Sequence, residues 1–126
     1  MPPTKPIRLP QDCQVELLTE PGATVVAVSG EVDLSTERLL RETLDRALAA
    51  PAPVLVDLCG CTFIDSSGLG ALLAGVRAAR ASGQPLAVAC EPGGAVRAMV
   101  LMVMGPAFST CASRAAGLAA LADGAG

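Results

Sequence analysis

The segment Thr62-Phe63-Ile64-Asp65-Ser66-Ser67-Gly68-Leu69-Gly70-Ala71-Leu72-Leu73 holds the residues best placed to do chemistry. Leu69, Leu72, Leu73 and Val76 share one helical face at i, i+3, i+4 and i+7, so a helix opens at the serines where a strand ends. The first turn of a helix leaves amide N–H groups unpaired and carries positive partial charge. A phosphoryl group added to Ser66 is expected to find donors there and to fit without unfolding the domain. The same chemistry allows a plainer role, in which Ser66 or Ser67 only caps the helix, and Asp65 can cap as well. Capping and phosphorylation can also divide between the two serines.

Other reactive constellations are poorly supplied. The chain has no histidine, which removes the usual general base and with it Ser-His-Asp and Cys-His catalysis. Ser66 also lacks the Gly-x-Ser-x-Gly setting of a hydrolase nucleophile. Glu31, Asp33 and Asp65 are acidic residues ahead of helices, where they suit the dipole, and no second reactive group makes them a catalytic pair. No catalytic residue is assigned. Cys59-Gly60-Cys61 invites a zinc reading, but without histidine or a second close pair these residues read as small side chains at a strand end, and no metal or other cofactor is expected.

Composition narrows the class further. A chain of 126 residues, about half apolar, fills one core and not two. Its net charge is −3 with no basic block, and Phe63 and Phe108 are the only aromatics, so both the electrostatic footprint and the stacking platforms of a nucleic-acid binder are missing. Met1 to Pro10 carries four prolines and no apolar core, so it reads as neither secretory signal nor membrane span. The apolar stretch Ala98 to Met104 is far shorter than the roughly 20 residues a bilayer requires, so no membrane association is expected. Five cysteines, an odd number, suggest reduced thiols in a cytoplasm.

The elements that position the serines follow from periodicity and breakers. Val15 to Leu18 and Thr24 to Val28 form a hairpin around Glu20-Pro21-Gly22. Leu40, Leu44, Ala47 and Leu48 predict a helix over Thr36 to Ala49, capped by Ser35 or Thr36. Pro51 and Pro53 stop it, and Val54-Leu55-Val56 is the continuous apolar run of a central strand. After the serine helix, Leu86 to Ala89 is a strand, Ala95 to Met104 a helix ended by Gly105-Pro106, Phe108 the start of a short last strand, and Ser113 to Asp123 a closing helix. This alternation predicts a single α/β domain: a mixed, largely parallel sheet of four to five strands with about four helices packed on it. Its limits are a flexible proline-rich arm over 1–12, the domain over 13–123 and a loose end over 124–126.

Phe63-Ile64-Asp65-Ser66-Ser67-Gly68-Leu69-Gly70 resembles the phosphorylation-site motif of anti-sigma factor antagonists in the STAS family. Gly30-Glu31-Val32-Asp33-Leu34 is similar to that family's Gly-Glu-hydrophobic-Asp segment, about 33 residues upstream, and the element order fits from about Val15 to Leu121. The resemblance implies a STAS fold and Ser66 as phosphate acceptor, with Glu31, Asp33, Asp65, Ser67, Gly68 and Leu69 on the surrounding partner-binding surface. It also implies a partner, an anti-sigma factor of serine-kinase fold that supplies ATP and magnesium, and a phosphatase that reverses the modification. The switch has an electrostatic basis. Phosphoserine adds nearly two negative charges, and against a partner carboxylate about 6 Å away repulsion is roughly 1 to 6 kcal/mol depending on dielectric.

One stretch departs from the family pattern. Met99 to Met104 is apolar all round; Val96, Met99, Val100 and Val103 suffice for the core, so Leu101, Met102 and Met104 are either a partner surface or buried under the last helix. The alternative function is a STAS-type module that binds a nucleotide or lipid, or serves as a scaffold part. Oligomeric state is not encoded legibly.

Overall fold

The computed structural model describes residues 13–105 and 108–124. The expected arm over 1–12, Pro106 and the last two residues of the tail lie outside them. β1 (Cys13–Glu20) and β2 (Ala23–Val32) form the antiparallel hairpin around Pro21-Gly22. α1 (Glu37–Ala49) leads to β3 (Val54–Ile64), parallel to β2, and α2 (Ser66–Ser82) leads to β4 (Leu86–Ala89), parallel to β3. Among the described residues, α3 (Ala95–Met104) and α4 (Arg114–Ala122) complete a four-stranded mixed sheet of order β1-β2-β3-β4 with four helices, as the alternation predicts.

The helices divide between the two faces of the sheet. Val54, Val56 and Leu58 of β3 turn toward Leu40 and Leu44 of α1, Leu72 of α2 and Val100 of α3, forming the larger core. Each such side chain, fully buried, stabilises the fold by about 1.5–3 kcal/mol. Leu55 turns the other way and meets Val25, Ala87, Ala89 and Leu121 of α4. A Cβ on Gly117 would lie 2.5 Å from Leu55 Cδ1, so α4 sits on the sheet at a distance only glycine permits. Arg114 Nε donates to the buried Asp57 Oδ2 at 2.7 Å and ties the start of α4 to the central strand. Burial alone pushes the Asp57 carboxyl up, but Arg114 and the Cys59 amide outweigh it and hold the group below its ordinary value.

β3 is longer than Val54-Leu55-Val56 and runs through both cysteines to Ile64. Its register against β2 slips between Asp57 and Gly60 and again between Cys61 and Phe63, each time by one extra residue on β3. Such bulges reverse the side-chain alternation. Cys59 accordingly joins the α4 face and Cys61 the α1–α3 face, so the Cys-Gly-Cys pair diverges and does not chelate. Burial raises the thiol of Cys61 to about 11 and that of Cys90 to about 12.

Two further expectations are corrected. No strand starts at Phe108: residues 108–110 belong to no strand, and a single parallel bridge joins Ala89 to Cys111. The methionine stretch is not covered by α4, which packs from the opposite face. Met102 is 77% exposed and Val103 39%, while Met104 packs against the core in place of Val103. No helix among the described residues is long and apolar enough to cross a membrane.

Candidate functional site

The parallel pairing of β2 with β3 brings the two acidic segments together. Val32 stands opposite Ile64, Glu31 opposite Phe63, and the Asp65 N–H donates to the Val32 carbonyl at 3.0 Å. Each strand then yields to a helix. At the end of β2, Asp33 Oδ1 accepts from the Ser35 N–H (2.9 Å) and the Ser35 hydroxyl (2.6 Å). The Asp33 carbonyl accepts from the Thr36 and Glu37 amides, and the Thr36 hydroxyl accepts from the Asp33 N–H, which closes the start of α1. The Ser35 hydroxyl, with its amide and Thr36 adding to it, holds the Asp33 carboxyl below its ordinary value.

At the end of β3, Asp65 is the N-cap of α2. Its Oδ1 accepts from the Ser67 N–H (2.9 Å) and the Gly68 N–H (3.1 Å), and its carbonyl accepts from Leu69 N–H (2.9 Å). Neither serine caps the helix. Ser66 is exposed at the first helical position, and its hydroxyl makes no hydrogen bond among the described residues. Asp65 therefore already holds the Ser67 and Gly68 amides through its side chain and the Leu69 amide through its carbonyl, so of the first-turn donors only the Ser66 N–H is without a partner among the described residues.

Gly68 explains how the first turn is seated. A Cβ there would come within 2.7 Å of both Ile64 Cγ1 and Val32 Cγ1, so the turn rests directly on the ends of β2 and β3. Gly68 and Leu69, expected on the partner surface, are both buried, Leu69 in the main core. Their burial gives them a part in seating the first turn of α2. Ser67 is half-buried, as are Glu31, Asp33 and Asp65. Sequence reasoning missed two exposed neighbours, Leu34 at 78% and Phe63 at 47%, although both lie inside the quoted motifs. Their apolar character without a helical or alternating partner was the available signal. Among the described residues, none of Glu31, Asp33 and Asp65 forms an ion pair, and no group of three potential ligands is placed to hold a metal ion.

Residues 16–104 match the family model described as Mlab, STAS domain. No curated protein matches the sequence. Among solved structures, the fold is similar to an anti-sigma factor antagonist from Mycobacterium paratuberculosis, with a TM-score of 0.77 and 23% identity, covering 93% of this chain and 100% of that one. It is also similar to a serine-to-glutamate variant of RsbS from Moorella thermoacetica, with a TM-score of 0.74 and 20% identity over 89% and 97% of the two chains. A third likeness is to the Bacillus cell fate determinant SpoIIAA in its phosphorylated form, with a TM-score of 0.64 and 19% identity over 87% and 99%.

Proposed function

The chain belongs to the STAS domain family, and from that premise we propose that it is an anti-sigma factor antagonist, a partner-switching protein of the cytoplasm with no enzymatic activity of its own. Unmodified at Ser66, it binds an anti-sigma factor of serine-kinase fold; phosphorylated there by that partner, it releases it, and a phosphatase restores the binding form. The observation that carries this reading is the division of labour at the start of α2. Asp65 does the capping, which leaves the Ser66 hydroxyl exposed and uncommitted beside the rim of Glu31, Asp33 and Asp65.

The switch then needs no refolding. A hydroxyl that holds no structural hydrogen bond can be esterified without releasing any part of the domain. The phosphoryl group adds about −1.5 to −2 charges at neutral pH, and Asp65 already occupies the Ser67 and Gly68 amides that would otherwise offset part of it. Those charges join carboxylates that have no cationic partner among the described residues. A docked carboxylate about 6 Å away is repelled by roughly 1 to 6 kcal/mol, and each 1.4 kcal/mol or so is a tenfold loss of affinity. Leu34 and Phe63 supply the apolar contact that an interface needs at its centre.

The reading is tested by incubating the chain with its cognate kinase and ATP and mapping the product by mass spectrometry. One phosphate on Ser66, absent from Ser66→Ala, is the expected result; label that persists in the variant refutes the assignment.

A further inference from the structure

A cavity of about 440 Å³ opens at the outer edge of β4, walled by the C-terminal half of α2, the segment before Cys111 and α4. It exists because three elements contribute alanine where they meet: Ala79 from α2, Ala87 from β4 and Ala120 from α4. The expected fifth strand would have closed this edge, but it is reduced to the bridge at Cys111. The space is a cleft open to solvent with a lining more apolar than polar, and its size falls in the range of small-molecule sites.

Its polar side chains are few, and only one of them is charged. Arg80 stands at the mouth with its guanidinium carbon 6.0 Å from the centroid of the Phe108 ring. Like Arg46, Arg77 and Arg97, Arg80 pairs with no carboxylate, and no Asp or Glu lines the cavity, among the described residues. Ser109 adds a hydroxyl beside it. Gln84 also lines the wall, but its amide is committed, donating to the carbonyls of Ala50 (2.7 Å) and Ala52 (2.8 Å), so it braces the wall instead of meeting a ligand.

From one unpaired guanidinium over an apolar, alanine-floored cavity, we infer that this is a binding site for a small amphipathic carboxylate. The head group pairs with Arg80 and the hydrocarbon body fills the space between Ala79, Ala87 and Ala120. A planar guanidinium suits a carboxylate in particular, since it offers two parallel donors. The site stands apart from the switch surface: Arg80 lies fourteen positions along α2 from Ser66, about 20 Å at 1.5 Å per residue. It is therefore independent of the anti-sigma reading, and occupancy leaves the acidic rim open.

Titration of the full chain with octanoate, followed by methyl and amide NMR and by thermal unfolding, tests the inference. Saturable shifts at Ala79, Ala87 and Ala120 and a rise in Tm are expected. Arg80→Gln, a change at an exposed position, is expected to weaken octanoate by about tenfold or more through loss of charge-assisted hydrogen bonds, while octanol binds the wild type no better than octanoate binds the variant. Ala120→Leu fills the floor and abolishes binding. Absence of saturable shifts, shifts centred on Met102 and Val103, or undiminished octanoate affinity in Arg80→Gln overturns the proposal. Should Ala120→Leu fail to fold, Arg80→Gln and octanol still decide.

Discussion

Asp33 and Asp65 leave neighbouring parallel strands in register, and each folds its Oδ1 back onto the two or three residues that follow it. The two turns differ in one respect. Asp33 takes up the hydroxyl of Ser35 at 2.6 Å, whereas Asp65 takes up backbone amides and leaves the hydroxyl of Ser66 alone. Two exposed serines thus stand on one rim with unequal availability, and the bottom-up reason to choose Ser66 is that Ser35 is already engaged.

That contrast predicts site selectivity. In a phosphorylation reaction with the cognate kinase, Ser35→Ala and Ser67→Ala are expected to accept phosphate as the wild type does, and Ser66→Ala none. Peptide mapping checks this, and phosphate on Ser35 would show that hydrogen bonding to Asp33 does not withhold a hydroxyl.

The cap itself has a measurable weight. Asp65→Ala removes the acceptor for two amides at the start of α2 and is expected to lower stability by about 1 kcal/mol, with Asp65→Ser recovering most of it. Urea denaturation provides the comparison. A change within error for Asp65→Ala would mean that water serves those amides equally well.

Glycines two residues apart on α2 should respond in opposite directions. Gly68→Ala drives a methyl to within 2.7 Å of Val32 and Ile64, both essentially inaccessible and unable to yield, so a loss of roughly 1–3 kcal/mol is expected. Gly70→Ala meets nothing within 4 Å and should stabilise the helix by up to about 1 kcal/mol. Thermal unfolding of the pair reads both signs, and a stabilised Gly68→Ala would contradict the seating of the first turn.

The Asp57–Arg114 pair predicts an acid-dependent contribution. Because Asp57 is held below its ordinary value in the fold, its contribution is complete above the unfolded carboxyl value of about 3.9 and is lost as pH falls through the lower native value. Arg114→Gln should cost about 1.5–3 kcal/mol at pH 7. Denaturation series at several pH values should show this gap closing below about pH 4; a gap that widened on acidification would reverse the sign of the shift.

Much of the fold is legible in the sequence. Leu86 to Ala89 and Ala95 to Met104 are bounded by Gly, Pro and abrupt changes of hydropathy, which mark their limits. β3 was underestimated because its two bulges destroy the alternation from Cys59 onward, and a strand with broken period looks like a loop. The cap was ambiguous because Asp65, Ser66 and Ser67 all have cap chemistry, and only backbone geometry distinguishes them. Leu69 belonged to the apolar face of the helix on its spacing, and its placement on a partner surface followed the motif instead of the periodicity. The side on which α4 packs was not legible at all, since an alanine-rich helix fits either face, and the choice rests on Gly117 against Leu55 and Arg114 reaching Asp57.

The most direct measurement is the affinity of the kinase-fold partner for the unmodified chain and for the same chain carrying phosphate on Ser66, by calorimetry in matched buffer. Binding at least about tenfold weaker after modification is expected, with the difference shrinking as salt is added. Equal affinities for the two forms would rule out the phosphorylation switch.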